Sequence, residues 1–346
     1  LAKQVDGHER NMSESYRTYW HWFDRIANGR ARTEVETGGF FATGVEIMAR
    51  YGIVSEEAFI PSEAAQERSD RQKSALTKIN ESLKTGKLST PEARRDRALV
   101  RAELDAAFEL ETPIVEQMDR VFGKGVHRTL DRSSVDLEGT IVQRPGEVQA
   151  LLRDPQTHEP VVGTLQDAIG TRAAQGGRTG RYMWRSVSYR WGSARRATLA
   201  RLQRAMHDHQ PVVVSWLVDF AAMKDGQFVA PPETPGSQGG HMVIVEDYQV
   251  SNVPGFGTLP AGTAETRSDA LAAALSPEAT IDFIRVKNSW GTHRPDPLEI
   301  GPGYHDLYLA YLNGPIKQCT QVEGTSDPNQ CWDQTPLNEF VLPAGY

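Results

Sequence analysis

The spacing of apolar residues changes along the chain, and this change constrains the fold more than any other feature. Between residues 13 and 26 apolar side chains recur every three or four positions, which is typical of an amphipathic helix. The later runs 211–218, 241–246 and 281–286 are short and mostly apolar, which is typical of buried strands. The sequence therefore predicts an α+β fold in which a helical part precedes a β-rich part.

Composition limits the class of protein. With 346 residues, 39% of them hydrophobic, the chain can bury a full core in one large or two modest domains. A net charge of −7 argues against wholesale nucleic-acid binding, and no apolar run reaches the ~18 residues of a membrane span. His207 and His209 form a pair that can bind a metal, but no third ligand is evident. We expect no metal site and no cofactor.

Shifts in composition suggest five segments. Residues 61–120 contain 23 charged side chains, eleven basic and twelve acidic, which favours exposed helices in a hairpin that serves as a structural or oligomerising insertion. The expected segments are the remainder of a helical lobe (1–60), a charged helical hairpin (61–130), an irregular arginine-rich connection (131–205), a β-rich lobe (206–314) and a C-terminal tail (315–346).

The stretch 172–204 is unusual because it holds nine arginines, interleaved with aromatic residues, and no acidic residue. Two interpretations stay open. Such a stretch can bind phosphates and stack on bases, or its arginines can pair with the carboxylates that the chain has in excess. We favour the second interpretation and do not expect nucleic acid as a partner.

His241 and Asn288 are the residues with the clearest chemical potential. His241 follows Gly240 where a proline- and glycine-rich loop enters an apolar strand, and a histidine there can shuttle protons near neutral pH. Asn288 does not titrate, but its side-chain oxygen can accept the imidazole N–H and fix the orientation of the ring. Trp290 can shield that hydrogen bond from water, which strengthens it. Together these residues supply the base and the orienting group of a nucleophilic site.

These motifs, in this order, resemble the papain-like cysteine peptidases. The resemblance rests on Gly240-His241 before a strand, then Lys287-Asn288-Ser289-Trp290-Gly291, then Gly303-Tyr304. It implies that His241 is the catalytic base, that Asn288 orients it and that Trp290 packs over their hydrogen bond.

The resemblance extends to the N-terminal part of the chain. Thr37-Gly38-Gly39 is similar to the segment whose glycines line the cleft and present backbone to a peptide substrate, so Gly38 and Gly39 are assigned to substrate binding together with Gly240. The charged segment is similar in composition and position to the helical insertion of the bleomycin hydrolase and aminopeptidase C branch. The implied fold has two lobes, one helical and one β-rich, with a cleft between them and a peptide or protein as substrate.

The nucleophile of this family is absent from the chain. In the family a cysteine opens a central helix, and counting back places it on the order of ten residues before Leu1. We therefore expect a peptidase whose cysteine lies before Leu1. The segment that carries it is removed, left out of the given chain, or present as a separate fragment of the same precursor. The alternative is an inactive relative that uses its cleft to bind peptides or proteins.

Cys319 and Cys331 lie after the asparagine motif, in the wrong context for a nucleophile. Their twelve-residue separation, with Gly324 and Pro328 between them, suits a disulfide that closes a surface loop. A disulfide indicates a secreted or periplasmic protein, whereas two separate thiols would suit a cytoplasmic one.

Overall fold

The computed structural model describes residues 1–66, 69–189, 195–289, 303–322 and 324–346. The fold is mixed α/β, and the chain divides into two compact units. The first unit contains residues 1–152 and 160–183, and the second contains residues 153–159 and 184–346.

The first unit is mainly helical. Among the described residues, no helix is long and apolar enough to cross a membrane. The helices are α1 (Lys3–Asp6), α2 (Glu14–Ala27), α3 (Phe41–Tyr51), α4 (Glu56–Phe59), α5 (Asp70–Lys84), α6 (Pro91–Arg95), α7 (Arg97–Ala107) and α8 (Thr112–Phe122). They are followed by β1 (Gln149–Arg153), β2 (Pro160–Thr164), α9 (Leu165–Ile169), β3 (Thr171–Arg172) and β4 (Arg178–Thr179), with short 3₁₀ turns at Pro61–Glu63 and Pro145–Glu147.

Helix α2 forms the centre of this unit, and its prediction from sequence is confirmed. The Ser13 side chain accepts a hydrogen bond from the Tyr16 N–H and caps the helix, since this N–H has no partner within the first turn. The side chains that recur every three or four positions are all buried: Tyr16, Tyr19, Trp20, Phe23 and Ile26.

The described residues of the charged segment form four helices, α5 to α8, where a hairpin of two helices was expected. Asp96 interrupts the expected second helix and caps α7 by accepting hydrogen bonds from the N–H groups of Ala98 and Leu99. The helix expected from about residue 64 begins at Asp70, where Ser69 provides the cap. The buried apolar residues of α5, α7 and α8 belong to the same hydrophobic cluster as those of α2.

The second unit is built around a sheet. Its strands are β5 (Arg185–Ser188), β6 (Val212–Asp219), β7 (Met223–Lys224), β8 (Gln227–Phe228), β9 (Gln238–Val253), β10 (Gly257–Leu259), β11 (Thr280–Lys287), β12 (Tyr304–Tyr308), β13 (Ile316–Val322), β14 (Thr325–Gln334) and β15 (Leu337–Leu342). Its helices are α10 (Arg195–His207), α11 (Ser268–Ala274) and α12 (Leu309–Asn313), with a 3₁₀ turn at Phe220–Ala222.

Nine strands of the described chain form one sheet in the order β5-β15-β6-β9-β11-β12-β8-β7, with β10 paired to β9. The pairs that concern the site are antiparallel: β15 with β6, β6 with β9, and β9 with β11. The segment 315–346, expected as a tail, supplies β15 between β5 and β6. The reason is apolar: Leu337, Phe340 and Leu342 are fully buried in this strand.

The arginine-rich stretch contributes structural contacts in both units. In the first unit, Arg172 pairs with Glu46 at 2.8 Å, and Arg178 donates to the carbonyl of Ile169. In the second unit, Arg196 donates to three carbonyl groups near α11, those of Ala274, Ser276 and Ala279. Thus only some of the described arginines pair with carboxylates, and others bind backbone carbonyls. Arg190 and Trp191 lie outside the described residues.

Candidate functional site

Strand register brings His241 and Asn288 together. Strands β9 and β11 are antiparallel neighbours with Lys287 opposite Ile244, so the residue that follows β11 lies beside the beginning of β9. The two side chains meet there, with 2.7 Å between His241 Nε2 and Asn288 Oδ1. Two residues that are 47 positions apart in sequence therefore form one hydrogen-bonded pair.

The surroundings of Asn288 determine which nitrogen of the histidine carries the proton. Asn288 is 5% exposed, and its Oδ1 also accepts the Ser289 N–H at 2.7 Å. An amide oxygen only accepts hydrogen bonds, so His241 must donate from Nε2. In the neutral imidazole the lone pair then lies on Nδ1, which is the atom able to take a proton from a nucleophile.

The backbone of Asn288 is fixed by Gly303. The Asn288 N–H donates to the Gly303 carbonyl at 2.6 Å. Gly303 has φ +80°, and a Cβ added there would come within 3.0 Å of the Asn288 carbonyl oxygen. Glycine is required at this position because of both the left-handed backbone and the close approach.

The position of His241 in β9 is fixed mainly by β6. His241 is paired with Trp216, which is 1% exposed, and Val243 is paired with the buried Val214. Since alternate residues of a strand face the same side, His241 lies on the sheet face that contacts the core, at the end of a row of buried valines. A shift of one residue would move the imidazole to the other face.

Trp290 and Gly240 are the other residues predicted to belong to the site around His241. Trp290 lies outside the described residues. Gly240 is exposed, and no described atom outside its chain neighbours lies within 4 Å of where its Cβ would be. The backbone of Gly240 is therefore accessible on that face of the strand. Asn288 Nδ2 is buried, and no described residue accepts its hydrogen bond.

The predicted substrate-binding glycines Gly38 and Gly39 lie in an exposed loop of the first unit. The start of this loop is anchored by side chains. Trp22 Nε1 donates to the Glu36 carbonyl at 3.0 Å, and Asn80 exchanges two hydrogen bonds with the Val35 backbone.

His21, on helix α2 of the same unit, is half-buried, and burial lowers the pKa of its imidazole. Phe40, directly after the glycines, is 73% exposed. Sequence reasoning missed Phe40, although a large apolar residue beside two loop glycines was visible in the sequence.

The disulfide predicted between Cys319 and Cys331 is present. The two cysteines lie directly opposite each other in the antiparallel hairpin formed by β13 and β14. This hairpin contacts Gln238, the first residue of β9, through the Cys319 N–H. Sequence reasoning missed Gln238, because a glutamine at the end of a polar loop gives no signal of its partners.

In the histidine pair considered as a metal site, His207 contacts a tyrosine. His207 Nε2 lies 2.6 Å from the Tyr248 hydroxyl, and burial lowers the pKa of His207. Within the described part of the chain, no group of three or more histidine, cysteine, aspartate or glutamate side chains is placed to hold a metal ion.

The chain matches no protein-family model, and it matches no curated protein.

Proposed function

We propose that the chain carries the base and the orienting residue of a papain-like cysteine peptidase, which hydrolyses peptide bonds with a cysteine located upstream of Leu1. One observation carries the proposal: the His241 Nε2–Asn288 Oδ1 hydrogen bond of 2.7 Å, with Asn288 held by Ser289 and Gly303. It supports the base and orienter roles because it fixes the tautomer that leaves the Nδ1 lone pair for proton transfer.

The proposed reaction has two stages. The thiol proton passes to His241 Nδ1, the thiolate attacks the peptide carbonyl carbon, and the C–N bond breaks as the imidazolium protonates the leaving amine. Water then attacks the thioester while His241 takes its proton, and the thiol is released with the carboxylic acid. Asn288 stabilises the imidazolium by accepting its Nε2–H throughout.

The loop of the first unit supports a role in holding an extended peptide. Gly38 and Gly39 expose backbone without side chains, so a substrate backbone can approach closely. Phe40 offers an apolar surface beside them for a substrate side chain. We infer that peptide binding at this loop combines backbone hydrogen bonds with one apolar contact.

The test compares variants of the full natural gene product. We expect His241→Asn to reduce peptide hydrolysis by about 10²–10⁴-fold, the usual contribution of a general acid–base group. Asn288→Ala should reduce it less and shift the pH profile, since the imidazole loses its orienting partner. Asn329→Ala, an exposed asparagine in the disulfide hairpin, is the matched control and should leave the rate unchanged. Unchanged hydrolysis in His241→Asn would contradict the proposal.

A second candidate is a catalytically inactive homologue that binds peptides. One observation favours it: both cysteines of the chain are joined in the disulfide, so neither supplies a thiolate. Treatment of the natural gene product with iodoacetamide separates the two functions. Labelling of an upstream cysteine, with loss of hydrolysis, supports the peptidase, whereas a folded protein that takes up no label but binds peptide supports the homologue.

The disulfide also supports a place for the protein in an oxidising compartment, secreted or periplasmic. Mass spectrometry of the native protein, with thiols blocked before reduction, tests this proposal. Recovery of unblocked Cys319 and Cys331 is expected, and blocked thiols at both positions would indicate a reducing compartment.

A further inference from the structure

Within the described part of the chain, the segment of β9 that carries His241 pairs with a strand on one side only. Residues 238–245 pair with β6, but pairing with β11 begins only at Ile244. Among the described residues, positions 238–243 therefore have one strand neighbour. Gly239 and Gly240 lie in this segment, both exposed and without packing around the Cβ position, and glycine adds backbone freedom to a strand.

Gln238 anchors the beginning of this segment. Its Nε2 donates to Asp219 Oδ2 at 2.7 Å and to the Lys317 carbonyl at 2.6 Å, and its Oε1 accepts the Cys319 N–H at 2.8 Å. Its backbone N–H donates to Gln321 Oε1 at 3.0 Å. Both ends of the side-chain amide are thus used, and the bonds reach two different elements, the end of β6 and the disulfide hairpin.

The partners of Gln238 are themselves fixed. Asp219 is fully buried and also accepts the N–H groups of Ala221 and Gly236 at 2.9 and 3.0 Å. On the hairpin, Gln321 donates to Ser326, whose hydroxyl bonds the Gly236 carbonyl at 2.5 Å. The hairpin therefore holds the chain at two points just before His241, and the disulfide joins its two strands.

We propose that Gln238 is a positioning residue for His241, and that it ties the flexible start of β9 to the disulfide hairpin of β13 and β14. This inference rests on the proposed function, because it assigns Gln238 a role in keeping the candidate base in hydrogen-bonding reach of Asn288. Gln238 does not take part in proton transfer, and its effect on His241 passes through the two residues between them, Gly239 and Gly240.

The test uses the protein as it exists and compares three variants. Gln238→Met keeps the length of the side chain and removes the amide. Asp333→Asn is the matched control, since it removes the exposed ion pair of Lys317 and Asp333 in the same hairpin without touching Gln238. His241→Asn assigns the imidazole signal among the nine histidines of the chain.

Hydrogen exchange followed by mass spectrometry measures the strand. In Gln238→Met we expect the amides of 239–243 to exchange about tenfold faster, while those of 246–253 keep the wild-type rate, because local opening rises only where the anchor is lost. Asp333→Asn should match the wild type in both segments. Equal rates at 239–243 in Gln238→Met and the wild type would overturn the proposal.

Nuclear magnetic resonance of the imidazole measures the positioning itself. The wild type should show a protected His241 Nε2–H signal that Gln238→Met loses while the protein stays folded. A purely structural role would instead lower the melting temperature and leave this signal in the folded protein, which would also overturn the proposal.

A reductant provides the second perturbation if Gln238→Met does not fold. A phosphine donates two electrons that break the S–S bond, water supplies the two protons of the thiols, and the oxygen of that water forms the phosphine oxide. We expect reduction to make the amides of 239–243 exchange faster than in the oxidised protein, by more than it does for those of 246–253. No change at 239–243 on reduction would contradict the proposal. None of these measurements uses peptide hydrolysis, so the positioning role and the proposed function can fail separately.

Discussion

The core of the first unit is formed by aromatic side chains from several helices, whereas the core of the second forms around strands paired on both sides. In the first unit Trp20 stacks on Tyr51 with 4.0 Å between ring centroids, and four further aromatic rings meet the edges or faces of Trp20. In the second unit β9 pairs with β6 and with β11. The first unit therefore depends on individual side chains, and the second on the register of its strands.

Two largely shielded arginines, Arg101 and Arg285, show the same difference. Arg101 in the first unit is 2% exposed, donates from Nε to the Tyr19 hydroxyl at 2.7 Å, and lies over the ring of Trp20. Arg285 in the second unit makes a two-point ion pair with Asp306 across neighbouring strands, at 2.7 and 2.8 Å. The first arginine is part of an aromatic cluster, and the second completes a strand pairing.

The largest expected effect comes from removing the central aromatic ring. Trp20→Ala should lower the free energy of unfolding by about 3–5 kcal/mol, because it leaves a cavity among rings that cannot close it. Trp332→Ala is the matched control, since Trp332 is 48% exposed on the hairpin, and it should cost less than about 0.5 kcal/mol. Denaturation by urea measures both values, and similar losses would show that the first unit does not depend on its aromatic cluster.

A smaller effect is expected from breaking the ion pair of the sheet. Asp306→Ala leaves the Arg285 guanidinium without its two-point partner and should cost about 1.5–3 kcal/mol. Asp333→Ala removes a surface pair with Lys317 and should cost at most about 0.5 kcal/mol, since exposed pairs contribute little. If the two variants are equally stable, the pairing of β11 with β12 does not require the buried ion pair.

The smallest effects concern pH, and they have opposite signs in the two units. Burial raises the pKa of Glu56 above its ordinary value of 4.5, so the stability it contributes is present below that value and is lost as pH rises through the folded-state pKa. Burial lowers the pKa of His207 below 6.5, so its contribution is present above that value and is lost as pH falls.

Variants that do not titrate test these signs. The free energy of unfolding should fall less in Glu56→Gln than in the wild type as pH rises from about 4 to about 8. It should fall less in His207→Gln as pH drops from about 8 to about 5. Parallel curves for wild type and either variant would remove that residue from the pH dependence.

Much of the fold followed from local pattern. The helix at 13–26 and the strands at 211–218 and 281–286 are confirmed as α2, β6 and β11, with ends that differ by one or two residues. The helices of the charged segment were harder to predict from sequence. An aspartate such as Asp96 suits the exposed surface of a helix as well as the cap of a new helix. The role of β15 was also missed, since a short apolar run near the end of a chain does not reveal which strands it separates.

The candidate site shows the same limit. The residue types and their order indicated His241 and Asn288 as a candidate base and its orienting partner. In the structure His241 Nε2 lies 2.7 Å from Asn288 Oδ1. Gln238 was not found, because its hydrogen bonds to residues 81 and 83 positions away leave no local trace. Phe40 was visible beside the loop glycines, but its exposure was not.

Side-chain type and spacing over a few residues were enough to indicate a candidate base, its orienting partner, one helix and several strands, because these features depend on local sequence. The tertiary structure alone decided which strands are neighbours, and hence that His241 meets Asn288 and that Gln238 joins β9 to the disulfide hairpin. The physical reason is that backbone groups are alike along the chain, so strand order is selected only by the burial of side chains in the assembled sheet.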